Sequence, residues 1–113
     1  MVCIFCQIVS GEINSEILYQ DDEIMAFRDI QPQAPVHLLI IPKKHFASLN
    51  EPGVNELPIL SKIADVARKL AIKEGIAEKG YRIAINCGQE GKQSVSHLHM
   101  HLLGGRQLSG KLG

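Results

Sequence analysis

The sequence predicts an α+β domain: about five strands, mostly antiparallel, and one major helix. Three observations carry this expectation. The apolar run Val36–Ile41 is closed by Pro42 and reads as a buried strand. Leu60, Ile63, Ala64, Ala67, Leu70 and Ala71 follow the i, i+3, i+4, i+7 spacing of a helix with one apolar face. The stretch Ser94–Gly105, SVSHLHMHLLGG, alternates histidine with apolar residues, which is the period of a strand.

The remaining elements follow in chain order. Phe5–Ser10 reads as one or two turns of helix stopped by Gly11. Ile17–Gln20 and Glu23–Phe27 are short apolar runs separated by Asp21-Asp22, a hairpin signal. Asp29–Pro35, DIQPQAP, carries two prolines and is a loop. For the long helix, Pro58 suits the first turn and Gly75 the stop. Ile59 and Val66 add a second apolar strip, read either as a wide core face or as contact with a second subunit. Tyr81–Cys87 alternates apolar and polar residues as a strand does, with Cys87 expected in the core. Gly88–Gln93 is a glycine-bounded loop leading into the histidine stretch.

Composition narrows the function classes. The 113 residues match the length of one domain, 1–113, with no repeats or linkers. Twelve lysines and arginines balance twelve aspartates and glutamates, so a general electrostatic grip on nucleic acid or an anionic membrane is not expected. The first residues, MVCIFC, lack the basic and long apolar regions of a signal peptide. No apolar stretch is long enough to cross a bilayer. With three cysteines and no secretion signal, the expected location is the cytoplasm.

Three of the five histidines fall at 97, 99 and 101. As a strand, the stretch places them on one side and Leu98, Met100 and Leu102 on the other. An imidazole face beside the loop glycines Gly88 and Gly91, with Gln93 and Ser94 at its mouth, suits a phosphate. No P-loop or G-x-G-x-x-G is present. Histidine can act as a nucleophile toward phosphorus when one ring nitrogen is unprotonated and the other is held by a hydrogen bond. His37, on the other apolar strand, can join the cluster. The spacing alone leaves open which histidine attacks.

Cys3-x-x-Cys6 is the second constellation. Two thiolates at this spacing bind one metal, but a closed tetrahedral zinc site needs two more ligands, for which the histidines are the candidates. A redox pair is the rival, although nothing but Met1 and Val2 precedes it here. Plain buried thiols are the third reading.

Several blocks resemble one family. His97-x-His99-x-His101 followed by Leu-Leu-Gly-Gly-Arg-Gln resembles the histidine-triad (HIT) superfamily. DIQPQAPVHLLIIPKKH and NCGQEGKQSVSHLHMHLLGGRQ are similar to its Hint branch, the purine nucleoside phosphoramidases. The likeness runs from Cys3 to Gln107. It implies the HIT fold: a five-stranded antiparallel sheet with one long and one short N-terminal helix. It also implies a homodimer whose sheets join into one of ten strands, which the strip at Ile59 and Val66 fits.

The resemblance further implies a nucleoside 5′-phosphoramidate hydrolase of the adenosine 5′-monophosphoramidase type, acting through a covalent nucleotidyl-histidine. Its substrates would be AMP derivatives. His99 matches the nucleophile, His101 and His37 match residues that polarise the phosphate, and Ser94 matches the hydroxyl near the leaving amine. Gln93 and Asn86 match phosphate-side contacts, and Asp29 matches the carboxylate that takes the ribose hydroxyls. Phe5, Ile8, Ile13, Phe27, Ile30, Leu39 and Val95 match the apolar walls around the base. Members with an N-terminal Cys-x-x-Cys resemble zinc binders, which implies a structural zinc on Cys3, Cys6, His45 and His97, outside the chemistry, and no organic cofactor.

Two departures stand out. Gly91-Lys92-Gln93-Ser94 replaces the family's frequent Gly-Gly-Gln-Ser, and the chain ends Leu108-Ser-Gly-Lys-Leu-Gly113 without the Trp-Pro-Pro-Gly of eukaryotic members. The rival readings are a dinucleoside polyphosphate hydrolase of the same superfamily and a zinc-stabilised nucleotide-binding regulatory protein with little turnover.

Overall fold

Local signals define the first elements. In the computed structural model, which describes residues 3–51, 53–54 and 58–113, helix α1 spans Ile4–Ser10. Gly11 ends it in the left-handed region, with φ of 85°, and returns its N–H to the Ile8 carbonyl. Strands β1 (Ile17–Gln20) and β2 (Ile24–Arg28) form the hairpin. Asp21 closes its turn, because one carboxylate oxygen accepts from the Glu23 and Ile24 N–H groups.

Strand β3 (Val36–Pro42), helix α2 (Ile59–Lys73), strand β4 (Tyr81–Ala84) and strand β5 (Met100–Gly104) complete the fold. The sheet is antiparallel throughout, in the order β1-β2-β3-β5-β4. Strand β3 lies at its centre, covered on both faces, which is why its sequence is a continuous apolar run.

Period-two alternation sorts the side chains between two faces. Ile24, Ala26, Leu38, Ile40, Met100 and Leu102 pack with α2 in the larger core. Met25, Phe27, Leu39 and Ile41 pack with Phe5 and Ile8 of α1 in the smaller one. By the same parity His37 and His101 face α1, and the β3–β5 register sets Leu39 opposite His101 and Leu103 opposite His37.

Four expectations are corrected. The expected histidine strand begins only at Met100, so His97 and His99 precede it. Two residues beyond the last β3–β5 pair, Leu98 would stand opposite Pro42, which has no N–H for the Leu98 carbonyl and whose own carbonyl is taken by His97 Nε2. The Leu98 N–H bonds instead to the Phe46 carbonyl at 2.7 Å. Strand β4 ends at Ala84, and Cys87 is half-buried in the following loop rather than in the core. Helix α2 buries Ile59, Ile63, Val66, Ala67, Leu70 and Ala71, leaving Ala64 exposed and Leu60 at the margin. Ile59 and Val66 therefore belong to the chain's own core, 3% and 5% exposed, and are no contact face for a second subunit. A helix this apolar offers more than one possible stripe, and the sheet selects the one that packs.

Candidate functional site

Both histidine groups lie on the α1 side. Beside them is a cavity of about 320 Å³ between α1, the loop after Gly11, β2, β3 and the Ser94–His101 segment. Phe5, Ile8, Ile13, Phe27, Ile30, Leu39 and Val95 supply apolar walls, and Asp29, Ser94, His99 and His101 supply the polar groups. Ile30 stands at the rim and is 86% exposed. Ile4, Asn14, Ser15, Arg28 and Gln31 also line it and were not expected. Ile4 was legible as one turn before Ile8. The polar four carry no sequence signal of a pocket.

Backbone hydrogen bonds assign the histidine tautomers. His99 Nδ1 lies 2.7 Å from the His97 carbonyl oxygen. A carbonyl only accepts, so Nδ1 carries the proton and, in the neutral ring, Nε2 keeps its lone pair. At His37 the direction reverses. The Gln33 N–H donates to Nδ1 at 3.0 Å, which leaves the proton on Nε2. That Nε2–H donates to His101 Nδ1 at 2.9 Å, and His101 in turn carries its proton on Nε2.

Burial favours the neutral form of His37 and His101. His37 lies below the ordinary imidazole value because it is desolvated, with the Asp29 carboxylate opposing the shift. Burial likewise lowers His101, to about 4, aided by His99 and His37 and opposed by Asp29. Asp29 stands 3.4 Å from His37 Nε2, and its other oxygen accepts the Gln31 N–H.

Two expected contacts are not brought into the cavity. Gln93 spends its amide on backbone groups: Nε2 donates to the Val95 carbonyl and to the Ala47 carbonyl in the connection after β3, and Oε1 accepts the Gly88 N–H. Asn86 donates to the Gly91 carbonyl at 2.7 Å. Both brace the loop that carries Ser94. His37 is absent from the lining too, and reaches the cavity only through His101.

Cys3, Cys6, His45 and His97 converge on one point, with all four donor atoms within 4.8 Å of one another. His97 Nδ1 lies 3.4 Å from Cys3 Sγ and 3.6 Å from Cys6 Sγ, and His45 Nδ1 lies 3.4 Å from Cys6 Sγ and 3.2 Å from His97 Nδ1. A tetrahedral zinc with ordinary bond lengths sets two nitrogens about 3.3 Å apart and a nitrogen and a sulfur about 3.6 Å apart. The donor set therefore fits that ion in kind and spacing. His97 Nε2–H donates to the Pro42 carbonyl at 2.8 Å, which keeps Nδ1 unprotonated and aimed at the cluster. Desolvation lowers the His97 pKa, and burial followed by the hydrogen bond and charge of Cys3 raises that of Cys6. Asp29, His37 and His101 form a second group of potential ligands. There the 2.9 Å separation of the two ring nitrogens is a hydrogen bond, shorter than a shared ion would set.

Comparison with known proteins agrees with this geometry. The family model for the scavenger mRNA decapping enzyme C-terminal binding region matches residues 2–112. The chain is 50% identical over 105 residues to a purine nucleoside phosphoramidase of Escherichia coli (strain K12), covering 93% of this chain and 88% of that protein. It is 46% identical over 108 residues to an adenylylsulfatase of Arabidopsis thaliana, covering 94% of this chain and 73% of that protein. Among solved structures, a HIT family hydrolase from Legionella pneumophila Philadelphia 1 superposes with a TM-score of 0.94 at 49% identity, covering 99% of this chain and 100% of that one.

Proposed function

The chain belongs to the histidine-triad family, in its Hint branch, and from that premise we propose that it hydrolyses nucleoside 5′-phosphoramidates. The observation that carries the proposal is the hydrogen bond from His99 Nδ1 to the His97 carbonyl. It leaves a ring-nitrogen lone pair beside an apolar cavity sized for a nucleoside, with a neutral histidine pair as neighbour.

The reaction has two steps. His99 Nε2 attacks phosphorus, the P–N bond breaks, and the nucleotidyl group is carried on the imidazole while the amine departs with a proton drawn from solvent, which the water of the second step gives back. Water then attacks the same phosphorus, releasing AMP and returning the lone pair to His99. The His101 Nε2–H supplies a hydrogen bond to a phosphate oxygen as its charge develops. His37 fixes that donor's tautomer. The Ser94 hydroxyl, at the cavity wall, bonds the leaving nitrogen. Asp29 Oδ2 takes the ribose hydroxyls, and Phe5, Ile8, Phe27 and Leu39 hold the purine.

A zinc ion on Cys3, Cys6, His45 and His97 would cross-link α1 to the loop before β5 and take no part in the chemistry. The three free thiols suit a reducing cytoplasm. Residues 1–113 are taken as one domain, and the working unit as a homodimer. The sheet supports an edge-to-edge dimer through β4: Tyr81 and Ile83 are exposed there, whereas a bulge interrupts edge strand β1. Among the described residues no helix is long and apolar enough to cross a membrane.

The test is hydrolysis of an adenosine 5′-phosphoramidate carrying a fluorogenic amine, by wild type and His99→Ala in parallel. Turnover by wild type and a loss of several orders of magnitude in the variant, with AMP binding retained, is the expected result. A variant that turns over normally would remove the nucleophile. Wild type that binds AMP yet cleaves nothing would favour the regulatory reading. The relative named an adenylylsulfatase makes an adenylylsulfate the second substrate to assay.

A further inference from the structure

His97 sits where the two clusters meet. It is fully buried, 0% exposed, its N–H donates to the Val95 carbonyl, and its two ring nitrogens and its carbonyl reach three different parts of the molecule. Nδ1 points into the Cys3–Cys6–His45 group. Nε2–H donates to the Pro42 carbonyl at the end of β3. Its own carbonyl accepts the His99 Nδ1–H.

The position of that carbonyl matters because no sheet ladder holds it. Residues 97–99 precede β5, and the Leu98 N–H is spent on the Phe46 carbonyl. The peptide between His97 and Leu98 is held at its N–H by Phe46, and at its other end by the His97 ring, pinned at both nitrogens. A ring held at one nitrogen alone can swing about the Pro42 bond, which leaves the Phe46 bond as the one hydrogen bond on that peptide's N–H and lets the carbonyl tilt from His99. Phe5 adds a second link. It lies between the two cysteines in sequence and packs edge-on against His97 and His99, with centroids 5.8 and 5.1 Å away.

We infer that His97 is a positioning residue for the reaction: ligation of a metal at its Nδ1, together with Pro42 at its Nε2, fixes the carbonyl that orients the attacking ring of His99. The inference rests on the nucleotidyl-transfer reading above, and it gives the metal cluster a function beyond stapling α1 in place. Metal occupancy would then set how much of the protein holds an aimed nucleophile.

The decisive variant is His97→Cys. Nδ1 is the ring nitrogen nearer the backbone, so a cysteine sulfur reaches the same point and makes a Cys3His zinc site. The fourth ligand and the cross-link to α1 survive, but the strut to Pro42 is gone. Three quantities are read on the zinc-loaded protein: AMP affinity, the single-turnover rate of nucleotidyl transfer, and the His99 Nδ1–H proton resonance, which is visible only while that proton is hydrogen-bonded. The expected result is one zinc per chain, AMP affinity within about threefold of wild type, a lost or broadened resonance, and a rate lower by about tenfold or more. A loaded, folded variant that keeps the resonance and a rate within about twofold of wild type overturns the inference.

The stripped wild type is the second arm. Its His99 resonance should return in step with added zinc, and full intensity without metal overturns the inference. Should either protein fail to fold, wild type refilled with cadmium decides. The larger ion on the same four ligands should shift the resonance and slow single turnover by about threefold or more, and unchanged values in both overturn the inference. The resonance needs no turnover, so an inactive wild type whose resonance still follows zinc would defeat the hydrolase reading and leave the coupling standing.

Discussion

His37 Nε2 lies 2.9 Å from His101 Nδ1, so two side chains from neighbouring strands act as one proton-bearing unit. The Gln33 N–H fixes the direction of that unit at its far end. Without His37 the His101 proton is free to move from Nε2 to Nδ1, away from the substrate phosphate. His37→Phe should therefore lower kcat about a hundredfold, with little change in KM. Steady-state kinetics on a phosphoramidate checks this, and a kcat within about twofold of wild type would remove His37 from the relay.

Lys92 is the one non-glycine with positive φ among the described residues, at 62°. The turn around it is tight: a Cβ added at Gly91 would stand 2.5 Å from the Cys87 carbonyl oxygen, and the Lys92 N–H closes on Gln89. A lysine held in the left-handed region costs about 1–2 kcal/mol, of which glycine recovers only part because it is freer when unfolded. Lys92→Gly should stabilise the protein by about 0.5–1 kcal/mol, raising Tm by about 2–4 °C. An unchanged or lower Tm in calorimetry would mean that the lysine side chain makes a compensating contact.

How much of this was legible depended on the range of each signal. The Asp21-Asp22 turn, the Gly11 stop and the closure of β3 at Pro42 are written in neighbouring residues and read correctly. The start of β5 is not local, because Pro42, more than fifty residues away in sequence, has no N–H for the Leu98 carbonyl and gives its own carbonyl to His97. The buried stripe of α2 was misjudged for a related reason: apolar residues surround much of that helix, and only the sheet distinguishes Val66 from Ala64. At the site, His99, His101, Ser94 and the apolar walls, which the family resemblance implies, line one cavity. Gln93 and Asn86 are expected at the phosphate, and the structure turns both amides onto backbone carbonyls, of Ala47 and Val95 for Gln93 and of Gly91 for Asn86. The Gln33 N–H that orients His37 is a backbone group, which no side-chain pattern announces.

The His101 titration gives a pH prediction whose sign follows from burial. The folded pKa is lowered to about 4 from an ordinary 6.5. Between these values the unfolded chain binds more protons than the native one, so stability rises with pH across that window. It is fully present above about pH 6.5, declines as pH falls, and levels off below about pH 4. Burial acts in the same sense on His37. Urea midpoints measured from pH 7 down to 4.5 should fall less steeply for His101→Gln than for wild type, both loaded with zinc. Parallel curves would show that other groups carry the acid sensitivity.

The dimer prediction turns on which sheet edge is open. Edge strand β1 shifts register between Ile17 and Tyr19, and such a bulge discourages further pairing. Edge strand β4 pairs with β5 in unbroken register from Tyr81 to Ala84 and leaves Tyr81 37% and Ile83 45% exposed. The α2 residues Ile59 and Val66 do not contribute, because they are consumed by the core. A ten-stranded sheet formed edge to edge would bring Ile83 of each chain close to the symmetry axis. A carboxylate there would place two like charges in a desolvated seam. Ile83→Asp should therefore be monomeric by light scattering at concentrations where wild type is dimeric, with an unchanged far-ultraviolet circular dichroism spectrum. A wild type that is monomeric throughout would discard the dimer, and a dimeric Ile83→Asp would move the interface away from β4.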